Sequence, residues 1–104
     1  MAKDPSGLEA QIAEEKAAAL GRSGRRLRAA LDRLARFESG TARGRSAHAG
    51  DRARAELVAQ AGEAYWSYIV QREALGLIHN ESVVDEYGIP PEVARAMRPQ
   101  LRGA

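Results

Sequence analysis

Apolar residues Leu8, Ile12, Ala19, Leu20, Leu27, Leu31, Leu34 and Phe37 recur mostly three, four or seven positions apart. That spacing collects side chains on one face of an α-helix. Ser6 followed three residues later by Glu9 reads as a capping box, and no proline then intervenes until Pro90. The pattern predicts one long helix over about residues 7–38. Gly21 and Gly24 interrupt it, each costing about 1 kcal/mol relative to alanine in a helix interior. Their separation of three puts them on nearly one face beside Ala17 and Ser23, which predicts a kink or a close helix crossing.

The stretch SGTARGRSAHAG, residues 39–50, has no periodicity and reads as a flexible loop. Asp51 is placed to cap a second helix over about 51–76, with Leu57, Val58, Ala61, Ala64, Tyr65, Tyr68, Ile69 and Leu75 at helical spacing. Trp66 and Ile69 widen this stripe beyond what one neighbouring helix covers. Two short helices follow, about 81–87 and 91–98. Asn80 is the expected cap of the first, Gly88 its left-handed stop, Pro91 the start of the second and Pro99 its end. Val83, Val84, Tyr87, Ile89, Val93 and Met97 should fold back onto the face around Trp66. The fold class is therefore all-α: an antiparallel hairpin of two long helices, then two short C-terminal helices. The remaining apolar surface calls for completion as a dimeric helical bundle, because the two stripes exceed what one hairpin hides.

Length confirms a single domain with a limited core: the chain has 104 residues. It contains no cysteine, which removes disulfides and thiolate chemistry, and its two histidines cannot build a His-only metal site. No apolar run reaches membrane-spanning or signal-peptide length, so no membrane association and a cytoplasmic location are expected. The net charge of +2 conceals a strong asymmetry. Residues 1–21 are net −2, residues 22–54 carry ten arginines against three carboxylates for +7, and residues 55–104 are net −3. Such a distribution marks an anionic partner or complementarity between segments or subunits.

The segments EEKAAALGRSGRRLRAAL (14–31), WSYIVQREALGL (66–77) and ESVVDEYGIPPEVARAM (81–97) resemble a family of small all-helical proteins of alphaproteobacteria and relatives, known as a domain of unknown function. The resemblance spans most of the chain outside 39–50 and implies a bacterial cytosolic protein. It carries over no activity, cofactor or site residue.

Arg72 is the most pointed polar residue, since it lies four after Tyr68 and seven after Tyr65 and so tends toward the buried face. A buried arginine demands a carboxylate partner, for which Glu81, Asp85 and Glu86, or Glu14 and Glu15, are candidates. With Tyr68 and His79 these residues form the candidate polar cluster Tyr68, Arg72, His79, Glu81 and Asp85, read either as an anion site or as a clamp for the C-terminal helices. No ExxH or HExxH spacing, catalytic Ser/His/Asp order or phosphate-loop lysine is present, so no metal, cofactor or catalytic residue is expected. The expected function is a non-catalytic, homo-oligomeric helical scaffold that binds itself and an unidentified protein. The alternative is nucleic-acid binding through Arg22, Arg25, Arg26, Arg28, Arg43 and Arg45, or through the helix-turn-helix-like segment 81–97.

Overall fold

Two long helices and two short ones form, as the apolar spacing requires. The computed structural model of the protein describes residues 5–41 and 47–98. The expected cap of the first helix, the Ser6 side chain, and the expected stop at Pro99 lie outside what is described. Helix α1 spans Pro5–Thr41, α2 Ala47–Ala74, α3 Glu81–Tyr87 and α4 Pro91–Arg95. There is no strand among the described residues.

Both long helices run further into 39–50 than the loop-like composition suggests, leaving residues 42–46 between them. Asp51 therefore stands in the second turn of α2 and does not cap it. The alanines of Ala47–Ala74 favour the extra turn, and the glycine within it, Gly50, is buried.

Helices α1 and α2 pack antiparallel, since Glu38 pairs with Arg54 near one end while Arg26 pairs with Glu63 further along. Their seam is the core. Leu27, Ala30, Leu31 and Leu34 of α1 meet Ala61, Ala64, Tyr65, Tyr68 and Ile69 of α2, and Val83, Ile89 and Val93 close it from the C-terminal segment. Leu27, Val83 and Val93 are 0% exposed. Burying side chains of this size stabilises by about 1.5–3 kcal/mol each, so the short helices are held by the shared core of the hairpin.

Left-handed glycines make the turns that bring the chain back. At the end of α2, Gly76 (φ 83°) donates its N–H to the Glu73 carbonyl, and the Leu77 N–H reaches the Arg72 carbonyl at 2.9 Å. This pair of bonds satisfies the last helical carbonyls and reverses the chain. Gly88 (φ 64°) repeats the device after α3, with the Ile89 N–H on the Val84 carbonyl at 2.9 Å and the Ile89 side chain turned into the core. Pro91 opens α4 at a first-turn position, where the N–H it lacks has no helical partner to lose.

Three expectations are corrected by packing. Neither Gly21 nor Gly24 breaks α1, which runs through both as one helix. The place where two backbones meet is Gly62: a Cβ there would stand 2.7 Å from the Ala96 carbonyl carbon and closer still to its oxygen. Helix α4 is five residues long rather than eight, and it seats Ala96 against Gly62 while Met97 stays exposed. Trp66 is partly buried and stands outside the core cluster, so α3 and α4 dock through Gly62 and Tyr68.

The apolar stripe of α1 outruns its partner. At 1.5 Å per residue, the 37 residues of α1 span about 55 Å and the 28 of α2 about 42 Å. Residues 7–18 of α1 are exposed throughout, including Leu8 and Ile12 at 62% and 44%. The radius of gyration, 17.7 Å, exceeds the roughly 13 Å of a compact chain of about 100 residues, in keeping with this overhang.

Candidate functional site

The residues singled out around Arg72 are only partly brought together. Tyr68, on the buried face of α2, has the Arg72 guanidinium 5.9 Å from its ring centroid. Arg72 sits at the last turn of α2, where the chain reverses. From there its Nε donates to Asn80 Oδ1 at 2.8 Å and its Nη2 to the His79 carbonyl at 3.0 Å. The arginine is only partly buried, so water shares its solvation and an amide with a carbonyl suffices in place of the expected carboxylate. His79 contributes its backbone alone and its side chain is exposed. Glu81 and Asp85 are exposed and make no bond to Arg72. Asn80 spends its side chain on the arginine and makes no capping bond to α3. The arrangement is a clamp across residues 75–80, linking α2 to the start of α3.

A second cluster lies one to two turns away along the seam. Tyr87 at the end of α3 folds against Tyr68, ring centroids 5.2 Å apart and planes at 60°. The Arg28 guanidinium lies over the Tyr87 ring at 4.9 Å. Gly24 makes this seat: a Cβ there would meet the Tyr87 hydroxyl at 2.8 Å and Tyr68 Cε1 at 3.3 Å. The close approach expected at this glycine is therefore to two phenol rings and not to another backbone. Burial pushes the Tyr87 phenol up to about 12, with hydrogen bonding to Tyr68 adding to the shift, so Tyr87 is a neutral donor near pH 7. Beside this pair, between α1, α2 and α3, lies an open cleft of about 620 Å³ with Arg25 and Arg28 on one side and Glu86 on the other.

The arginine-rich stretch is divided among tasks. Arg22, Arg25, Arg26 and Arg28 are exposed on α1; Arg26 pairs with Glu63 of α2, and Arg28 stacks on Tyr87. Arg43 and Arg45 lie outside the described residues. In the helix-turn-helix-like segment, the buried residues of the short helices, Val83 and Val93, are spent on the core of the hairpin, and Glu92 of the five-residue α4 is tied to Arg54.

That ion pair belongs to an arrangement that spacing alone does not reveal. Arg54 of α2 donates from Nη2 to Glu38 of α1 at 2.7 Å and from Nη1 to Glu92 of α4 at 2.8 Å, with a further short bond to Glu92. One guanidinium thus ties three helices. The hydrogen bonds donated by Arg54 hold the Glu92 carboxyl below its ordinary value of 4.5, and donating to Glu92 and then to Glu38 raises Arg54. Gly62 was the one legible clue to this end of the molecule, because a glycine inside a helix-favouring segment needs a reason.

Among the described residues no three His, Asp or Glu side chains gather as a metal-binding group, and no helix is long and apolar enough to cross a membrane. A sequence model for a family of unknown function, DUF6665, matches residues 3–100. The chain belongs to this family. No curated protein and no solved structure matches it. The DUF6665 match takes in both long helices, the Arg72 clamp, the tyrosine pair and the Arg54 junction, so all of these lie within the family's domain.

Proposed function

We propose that this DUF6665 chain is a non-catalytic, self-associating helical scaffold, with a second copy of itself seated on the overhanging half of α1. The observation that carries this reading is the uncovered apolar surface at one end. Leu8 and Ile12 stand exposed at the end of α2, Ile12 beside Ala74 and Leu75, and Leu77 and Ile78, 41% and 69% exposed, follow that end. The broad face of α2, by contrast, is covered within the chain by Val83, Ile89 and Val93. The four most exposed large apolar residues therefore gather at this end, while Val84 and Met97 are exposed singly elsewhere, and grouped exposed apolar residues mark interfaces more than scattered ones do.

Charge favours a second copy as the occupant. The overhang carries Glu9, Glu14 and Glu15 against Lys16, and the turns that follow carry Arg22 and Arg25, with Arg26 already paired to Glu63. Two copies aligned antiparallel along this half of α1 set each acidic stretch against the partner's basic one, with Ala17, Ala18 and Ala19 near the two-fold axis allowing close approach. Charge then sets the orientation and the apolar residues hold the pair.

Light scattering tests this at about 0.1 M and 1 M salt, where the Debye length falls from about 10 Å to 3 Å. A dimer at both salts that becomes a monomer in the double variant Leu8→Glu, Ile12→Glu supports the reading. A monomer at both salts refutes it. A dimer only at low salt moves the holding role to the arginines. Retention on heparin at low salt, lost on Arg22→Gln with Arg25→Gln, would instead favour the nucleic-acid alternative.

A further inference from the structure

Three helical glycines of the core region differ in what occupies the space they leave. Gly62 takes the Ala96 backbone and Gly24 takes Tyr87 and Tyr68. Gly21 takes nothing comparable: a Cβ there would meet only the far end of the Arg25 side chain, at an ordinary contact distance of 3.4 Å. A glycine in a helix interior disfavours the helix, so an unfilled one in the middle of α1 answers no packing need of the fold. Gly7 is likewise unfilled but lies near the start of α1, where a helix is less dependent on each residue.

Gly21 lines the cleft beside Tyr87. The cleft's volume, about 620 Å³, falls in the range of small-molecule sites. Its lining divides by chemistry: Leu20, Gly21 and Gly24 are apolar and flat, while Arg25 and Arg28 stand at i and i+3 on the same helix. From these observations we propose that the cleft binds a small monoanion with a flat apolar body, an aryl carboxylate in class. The body lies over Gly21 and Leu20, and the carboxylate takes Arg25 and Arg28.

The choice of a monoanion follows from Glu86 on the opposite side of the cleft, whose carboxylate repels a doubly charged phosphate more strongly than a single charge. The choice of a flat body follows from Gly21, whose missing side chain leaves the helix surface bare, while the space at Gly24 is taken by Tyr87 and Tyr68. Tyr87, neutral near pH 7, adds no repulsion, its hydroxyl being held by Tyr68 over Gly24. All lining residues come from one chain, but Ala17 and Arg25 also belong to the proposed self-association face. The titration is therefore run on the Leu8→Glu, Ile12→Glu variant as well as on the unaltered chain, which keeps a failure of the cleft distinct from its occlusion by a second copy.

The test is a titration of the ¹⁵N-labelled full chain with 2-naphthoate, read by NMR at the Gly21 and Gly24 amides, with 2-naphthamide and inorganic phosphate as separate controls. Saturable shifts at these glycines with a dissociation constant below about 1 mM, and none from either control, are the expected result. Arg28→Gln should weaken binding about tenfold, Gly21→Leu should abolish it while helical circular dichroism is kept, and Arg36→Gln, exposed on α1 and outside the cleft, should leave it unchanged. Absence of saturation at millimolar naphthoate overturns the proposal. Equal binding of naphthamide removes the role of the arginines and overturns the anion assignment. Equal binding of phosphate reduces the cleft to a generic basic patch and overturns it as well.

Discussion

The same substitution at two helical glycines should move stability in opposite directions. In a free helix, glycine to alanine stabilises by about 1 kcal/mol. At Gly21 the added methyl meets only the end of Arg25 at 3.4 Å, so Gly21→Ala should realise most of that gain. At Gly62 the methyl would stand 2.7 Å from the Ala96 carbonyl carbon and 2.8 Å from its Cβ. Those atoms are largely backbone and cannot rotate aside. Either α4 shifts outward or α2 bends, and overpacking of this kind costs about 1–3 kcal/mol. If α4 lifts away altogether, Val93, now 0% exposed, returns to water, which alone forfeits about 1.5–3 kcal/mol. The net for Gly62→Ala, after the helical gain, is a loss of up to about 2 kcal/mol. In a domain of this size 1 kcal/mol moves the melting temperature by roughly 4–8 °C, so the two variants should separate by about 4 °C or more. Urea titration of both, at one protein concentration so that any assembly is held constant, measures the difference directly. If Gly62→Ala is as stable as Gly21→Ala, α4 is not docked on α2 as described and the packing argument is wrong.

Three further outcomes are expected. Because the folded Tyr87 phenol is raised to about 12 from an ordinary 10.0, the stability it contributes is complete below pH 10.0 and is lost as pH rises toward 12; in Tyr87→Phe, thermal melts across that window should show a shallower fall. Glu92, held below 4.5 by Arg54, contributes stability that is present above 4.5 and lost as pH falls below it. Glu92→Gln should flatten that acid limb, and an unchanged profile would mean that the ion pair does not couple to folding. Arg54→Gln removes ties to two helices at a partly exposed position, where screening keeps such pairs weak; a loss of about 1 kcal/mol that shrinks in 1 M salt is expected, and a salt-independent loss would point to packing.

Most of the secondary structure was legible because it depends on local chemistry. The periodicity of Leu27, Leu31 and Leu34 and of Ala61, Tyr65, Tyr68 and Ile69 needs only the helical repeat to be read as two facing stripes, and these residues are the core. Gly88 and Pro91 act through their own backbone preferences, so the turns they make were visible in the chain. Helix ends that depend on a side chain's choice of partner were not. Asp51 and Asn80 both look like caps, yet helix formation through Ala47 takes one inside α2, and a guanidinium eight residues away takes the other. The candidate polar cluster divided for a related reason. The six residues between Arg72 and His79 close on themselves through two glycine-directed carbonyl bonds, which brings Asn80 within reach of Arg72 and leaves Glu81 and Asp85 in solvent.

The amino-acid sequence by itself determined that this chain is helical, where its apolar faces lie and where it turns back, since each follows from residue type and spacing within a few turns. Only the tertiary structure decided what meets across the seam. Which glycine receives a backbone, which two tyrosines stack and which arginine ties three helices depend on positions 38, 54 and 92, or 24, 68 and 87, reaching one place. Those distances are set by the crossing of whole helices, a geometry that no local pattern encodes.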